Sequence, residues 1–325
     1  MVSIGDIIIG EKPIFLAPME DITDPSFRFI CKQYGADVLF TEFISSDGLI
    51  RDAKKSLEKL KIFDYERPIG IQLYGHLIEP MVESAKISET FNPDIIDINF
   101  GCPVTKIARR GAGAGMLCNI PLMIEMTEAI VKAVKTPVTV KTRLGWDEKS
   151  KNIVDIAERL QDAGIKALTI HGRTRAQLYK GEADWTLIRD VKNNPRMKIP
   201  IIGNGDIASP EQAREAFENY GVDGIMIGRA AIGKPWIFRD IKHFLINGVL
   251  ANPLSLTEKI EMAKIHFKKS IEFKGEIVGI LEMRRHFSNY FKGLENFKET
   301  RLKLVTSKEP DIIFGLLEEI KEKWG

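Results

Sequence analysis

The chain has 325 residues, room for one large domain of about 200 to 250 residues and a smaller one. Its 44% hydrophobic and 28% charged content is that of a soluble globular protein, and a formal charge of +2 leaves any nucleic-acid surface to be built locally. Three cysteines, Cys31, Cys102 and Cys118, with no CxxC pair argue against a bound metal and for free thiols in a reducing compartment.

The N-terminal MVSIGDIIIGEKP holds a short apolar patch broken by Gly5, Asp6 and Gly10, too short for a signal peptide or a membrane span. A cytoplasmic protein is expected. Eight apolar runs follow: IFLAPM (14–19), DVLFTEF (37–43), PIGIQLYG (68–75), IIDINFG (95–101), PVTVKTRLG (137–145), KALTIHGR (166–173), IPIIGNGDI (199–207) and DGIMIGRA (223–230). They are rich in Ile and Val without strict alternation, as strands buried on both faces are. Helical stretches separate them. One opens at Asp24-Pro25, and others cover 121–135, 152–164 and 209–221, the last two closing on Gly164 and Gly221.

Eight strands alternating with helices fit a (β/α)8 TIM barrel better than an open doubly wound sheet, because no GxGxxG opens the first helix. Each run keeps a distinctive residue near its C-terminal end: Met19, Glu42, Gln72, Asn99, Lys141, His171, Asn204 and Arg229. Barrel active sites are built at that rim. After about residue 245 the strand pattern ends, and 246–325 is predicted to be a separate helical domain with helices over 257–273 and 281–294.

GNGDI and GIMIGRA end the seventh and eighth runs. Glycine-rich turns offer backbone amides to phosphate, and Arg229 adds a charge-assisted contact. Gln72, Lys141 and His171 converge around the axis with hydrogen-bonding partners for a heteroaromatic ring. Lys141 would face negative charge developing there. Cys102 sits in a turn beside Asn99 and Lys106. A thiol of ordinary pKa, about 8.5, is mostly protonated at neutral pH, so it suits a general acid and, with no partner histidine evident, a nucleophile less well. Cys31 and Cys118 are expected to be small buried hydrophobes.

APMEDITDPSFR, QLYG, DINFGCPVTK, GAGAGML, VKTRLGWD, IHGRTRAQLYKGEADW, IPIIGNGDI and GIMIGRAAIGKPWIF resemble, in order, the signature segments of bacterial tRNA-dihydrouridine synthases, and MRRHFSNYFKG resembles the helical-domain motif of the B-type subgroup. The resemblance spans about residues 13–238 and then that motif. It implies FMN in the barrel, NADPH as electron donor, and reduction of the C5–C6 bond of D-loop uridines in tRNA. It implies that Ala17, Pro18 and Met19 line the flavin, that Gln72, Lys141 and His171 contact its ring, and that Asn204, Gly205, Asp206, Gly228 and Arg229 hold its phosphate end. Cys102 would donate the proton to C5, and Asn99 would bind the base.

Between Lys259 and Lys303 there are 11 Lys/Arg against six Asp/Glu, a local net of +5. Arg284, Arg285, His286, Tyr290 and Lys292 interleave basic and aromatic residues, a pattern suited to phosphate contact and base stacking. Lys106, Arg143 and Arg173 add positive charge at the barrel mouth. A monomer that binds tRNA is expected. Two competing readings are a dihydroorotate- or dihydropyrimidine-type flavin dehydrogenase, which would not need the basic tail, and a non-enzymatic RNA-binding protein.

Overall fold

The computed structural model describes residues 1–325. Strands β1 (Val2–Ile4) and β2 (Ile7–Gly10) form an antiparallel hairpin. The barrel strands follow: β3 (Ile14–Leu16), β4 (Leu39–Phe40), β5 (Ile44–Ser45), β6 (Ile69–Tyr74), β7 (Ile95–Asn99), β8 (Val138–Arg143), β9 (Leu168–His171), β10 (Ile201–Asn204) and β11 (Gly224–Ile227). All pair in parallel, and β3 pairs with β11. Leu16 donates to the Val38 carbonyl and Asp37 to that of Ile14, which closes the ring. The eight predicted runs are therefore the eight staves.

Each stave is buried on two faces. On β7, Ile96 and Ile98 join the core under the helices, while Ile95 joins the layer inside the barrel. Asp97 and Asn99 share the inward face with Ile95, since side chains alternate along a strand. This is why the runs lack a polar face.

Two features depart from expectation. DVLFTEF is not one strand. It breaks after Phe40, because the Thr41 hydroxyl accepts the Gln72 amide N–H (3.2 Å) and Glu42 turns away to accept the Asp21 N–H (2.7 Å). The N-terminal patch, for which no strand is predicted, forms the hairpin. Ile4, Ile7 and Ile9 of the hairpin pack on Phe15, Ile95, Ala167 and Ile202, plugging the end of the barrel opposite the rim.

The predicted helices are present as Pro25–Gln33, Ile120–Ala133, Ile153–Asp162 and Pro210–Asn219. Asp24 and Ser209 cap the first and last, each followed by Pro at the first helical position. Beyond residue 255 the only regular elements are helices. Leu256–Tyr290 is interrupted at Gly275 (φ 75°), giving the two expected helices, and Lys298–Thr306 and Pro310–Trp324 follow. These helices form their own core around Phe267, Met283, Phe287 and Leu317, which Ile30 and Trp236 of the barrel enter.

Across that junction Phe27 packs on His266 and His286, with ring centroids 5.8 and 4.9 Å apart. Burial pushes the His286 pKa down to about 4 and that of His266 well below its usual value. Both stay neutral in the folded protein, whereas unfolded histidine titrates near 6.5. The unfolded chain thus binds more protons below that pH, and stability is lost as pH falls from about 6.5 towards 4. His286 alone should cost ~2 kcal/mol at pH 5 relative to pH 7. Thermal melts of wild type and His286→Gln should show a shallower pH dependence in the variant; equal slopes would refute the assignment.

Candidate active site

A cavity of about 710 Å³ opens at the C-terminal rim, walled by Ala17, Met19, Asn99, Cys102, Lys141, Arg143, His171, Asn204, Asp206 and Arg229. Strand register assembles it. Asn99 pairs with Lys141, Arg143 with His171, and His171 with Asn204, so inward residues of four adjacent staves, in two successive registers, meet there. Pro18, Gly205 and Gly228 complete the wall.

Lys141 Nζ donates to Asn204 Oδ1 (3.2 Å), and Asn204 Nδ2 donates to the Met226 carbonyl (2.7 Å). Lys141 makes no ion pair with Glu42, whose carboxylate lies beside Lys59 instead. Burial and the nearby Arg143 push its pKa down to about 8, with Asp97 partly opposing them. His171 is held neutral by burial and by Arg143, Lys141, Arg173 and Arg229.

Cys102 is 7% exposed and faces the cavity. Its backbone N–H donates to Asn99 Oδ1 (2.8 Å), as does that of Gly101 (2.9 Å). Gly113, at φ 55°, abuts it: a Cβ there would lie 3.0 Å from the Cys102 Cβ, so the GAGAGML segment is shaped to the thiol turn. Burial raises the thiol pKa, opposed by the Val104 N–H and Arg143. The group is a protonated thiol at neutral pH, not a thiolate.

Arg143 is 2% exposed, and its Nε and Nη1 bind the carbonyls of Gly101 (2.7 Å), Thr174 (3.0 Å) and Leu178 (3.0 Å). It straps the 174–178 loop to the cysteine turn. Arg173 is not at the mouth as expected. Its guanidinium lies behind the wall, bidentate to Asp206 (2.9 and 2.6 Å), and it also binds the Gly181 carbonyl. Asp206, at φ 56°, also accepts from Arg229 (3.0 Å), so the two loops expected to hold phosphate are tied together.

The dihydrouridine synthase family model, "Dihydrouridine synthase (Dus)", matches residues 15–321. The chain belongs to the dihydrouridine synthase family. A "Probable tRNA-dihydrouridine synthase" of Rickettsia conorii is 39% identical over 302 residues, covering 93% of this chain and 90% of the relative. A "tRNA-dihydrouridine synthase B" of Pseudomonas putida is 40% identical over 289 residues, covering 89% and 85%. Among bacterial members the similarity runs to the B-type enzymes. Solved structures of a histamine dehydrogenase from Rhizobium sp. 4-9 (TM-score 0.57, 13% identity, 99% of this chain and 64% of that one) and of a morphinone reductase (TM-score 0.53, 10% identity, 74% and 88%) share the barrel. As a dihydrouridine synthase, this protein is a flavin-dependent oxidoreductase that reduces uridine in tRNA.

Several expected site residues of this dihydrouridine synthase stand elsewhere. Gln72 is fully buried behind Asn99 and does not reach the cavity wall. Asn99 spends its oxygen on the turn amides and its Nδ2 on Gln72 (2.9 Å). His286 and Tyr290 are each 3% exposed, so they are core residues rather than tRNA contacts. Tyr290 Oη bonds His266 Nδ1 (2.7 Å). Arg284 is half-buried, and Arg285 donates to the Asp21 carbonyl (2.9 Å), fastening the helical region to the loop beside the cavity. Lys106 and Lys292 are exposed and lie off the cavity wall. Cys118 is exposed, not buried. Tyr179 was missed. It stands at the cavity edge beneath Arg229, whose guanidinium is 4.9 Å from its ring, and only its aromatic character in LYKG marked it. No helix is long and apolar enough to cross a membrane.

Proposed function

We propose that the cavity binds FMN, that NADPH reduces it, and that the protein then reduces a D-loop uridine with Cys102 as the acid. One observation carries this reading: a protonated thiol on the wall of a cavity that also presents several donors short of acceptors. Lys141 Nζ has a single protein partner, and Arg143 Nη2 has none. The N–H groups of Gly205, Asp206 and Gly228 also find no acceptor within the protein. Such a set fits a ligand with an anionic ring and a phosphate.

FMN, when bound and reduced, supplies the hydride for C6 of uracil. The chain's own residues do the rest. Lys141 holds positive charge beside the ring, and the amides of Gly205, Asp206 and Gly228 with Arg229 receive the phosphate. Ala17, Pro18 and Met19 give an apolar wall, and neutral His171 contributes a hydrogen-bonding edge. Cys102 carries the proton that C5 takes up. A uridine must leave its stack to reach it. Incubating the protein with NADPH and unmodified tRNA should yield dihydrouridine, detected in the digested nucleosides as a gain of two hydrogens; unmodified uridine throughout would refute the reading.

The helices after residue 245 are read as the tRNA-gripping domain of a cytoplasmic monomer. Lys292, Lys298 and Arg301 surround a surface depression of about 240 Å³. Lys292→Glu with Arg301→Glu should weaken tRNA binding about tenfold at fixed salt and lower the salt slope by ~1 per lost phosphate contact, with flavin content unchanged. Filter binding across a salt series checks this, and an unaltered slope would count against it.

A further inference from the structure

Behind the cysteine turn lies a closed chain of buried side chains that no catalytic step uses. Asp97, 2% exposed, sits one layer below Asn99 on β7. Its Oδ1 accepts from Thr139 Oγ1 (2.5 Å) and its Oδ2 from Gln72 Nε2 (2.6 Å). Gln72 Oε1 accepts from Asn99 Nδ2 (2.9 Å), and Asn99 Oδ1 accepts from the N–H groups of Gly101 and Cys102 (2.9 and 2.8 Å).

A carboxamide can present either end to a neighbour, so two amides in series have two opposite senses. The chain's ends remove that freedom. At one end are two backbone N–H groups that can only donate. At the other is a carboxylate that can only accept. Burial raises the Asp97 pKa to about 6, opposed by Gln72, Thr139 and Lys141, so the group is mainly ionised at neutral pH. With both ends set, Gln72 must offer its oxygen to Asn99, and Asn99 must offer its oxygen to the turn.

We propose that Asp97 is a positioning residue: acting through Gln72, it fixes the sense of the Asn99 amide and thereby seats the Cys102 turn against the cavity. This rests on Cys102 as the proton donor, and it gives Gln72 a role different from ring contact. Asn99 is likewise assigned to the turn. Of the chain only Asn99 reaches the cavity wall; the part proposed for it is to hold the backbone that carries the thiol. A displacement of that turn by about 1 Å is enough to cost about a hundredfold in rate.

The test is a swap. Asn99→Asp leaves an acceptor for the turn but places a second acceptor against Gln72, which then faces a carboxylate on each side and cannot satisfy both through its amide ends. In Asp97→Asn with Asn99→Asp the sense is consistent again, reversed. The new amide at position 97 donates to Gln72 Oε1, and Gln72 Nε2 donates to the new carboxylate at position 99, which also accepts from the turn. The carboxylate count is unchanged. Three readouts are taken on flavin-loaded protein in a Cys118→Ser background, so that exposed Cys118 does not react: reduction by NADPH, re-oxidation by unmodified tRNA, and the pH profile of Cys102 alkylation.

Asn99→Asp should slow re-oxidation by roughly 10- to 100-fold and shift the alkylation profile. The double variant should regain about tenfold in re-oxidation and move the profile back. A single variant with unchanged re-oxidation and alkylation, or a double variant no better than the single, overturns the proposal. Should Asn99→Asp fail to fold, the same comparison is made on the yield of soluble flavin-loaded protein, where failure of both overturns it. The alkylation profile does not depend on catalysis. Rescue of that profile alongside full activity in Cys102→Ala would therefore sink the acid role and leave the positioning chain standing.

Discussion

A Cys102→Ala protein is expected to bind flavin and take electrons from NADPH like wild type, yet pass them to tRNA about 10²- to 10⁴-fold more slowly, the usual worth of a positioned general acid. The methyl group that replaces the thiol leaves the turn intact, because the turn is held by backbone N–H groups on Asn99 and by the Ala114 N–H on the Cys102 carbonyl (3.0 Å). Only the proton is lost. The pH profile gives the sign. Burial raises the thiol pKa, so the acid form persists through neutral pH and is lost as pH rises beyond the ordinary thiol range. Re-oxidation by tRNA should be level across neutrality and fall on the alkaline side. A nucleophilic thiolate would give a rate that climbs there instead. Stopped-flow absorbance at several pH values separates the two, and full activity in the alanine variant would remove Cys102 from the mechanism.

The second large effect is on stability. Arg28, 1% exposed, binds Glu66 through Nε (2.8 Å) and Nη2 (3.3 Å) and donates to the carbonyls of Thr23 (2.9 Å) and Lys61 (3.0 Å). Glu66 in turn accepts the Phe63 N–H (2.9 Å). Arg28→Met leaves a carboxylate buried without its counter-charge, which costs about 3–5 kcal/mol. In a chain of this size the melting temperature should drop on the order of 10 °C. The Thr23 carbonyl ends the loop that forms the Met19 wall of the cavity, so flavin should also dissociate more readily. Calorimetry of the flavin-loaded proteins checks the first point and flavin release on dilution the second. Arg28→Met combined with Glu66→Leu should recover part of the loss, since no lone charge then remains. An unchanged melting temperature in Arg28→Met would contradict the assignment.

The barrel was legible because burial on both faces leaves a signature that needs no partner: IIDIN and its equivalents are buried along their whole length and carry no solvated face. Rim chemistry was legible for the same reason, since Lys141, His171 and Asn204 are polar residues that an all-apolar strand would not carry unless they met a cavity. What depended on pairing was not legible. The sense of Gln72 and the role of Asp97 follow from register between β6, β7 and β8, which no single run contains. The break at Thr41 required knowing that its hydroxyl would meet the Gln72 N–H. His286 and Tyr290 were misread because charged neighbours drew attention from spacing. Met283, His286, Phe287 and Tyr290 recur at helical intervals and mark the buried stripe, while Arg285 lies off it. The N-terminal hairpin was hidden by brevity, with Ile8 exposed and only alternate residues packed inward.

The central claim is that electrons pass from NADPH to a cavity-bound flavin and then to uridine in tRNA. Anaerobic absorbance of the purified, FMN-reconstituted protein tests it most directly, with NADPH added first and unmodified tRNA second. Flavin bands that bleach with NADPH and return on addition of tRNA, but not of free uracil or orotate, are the expected result. Bands that NADPH cannot bleach, or that return equally with a free pyrimidine, would contradict it.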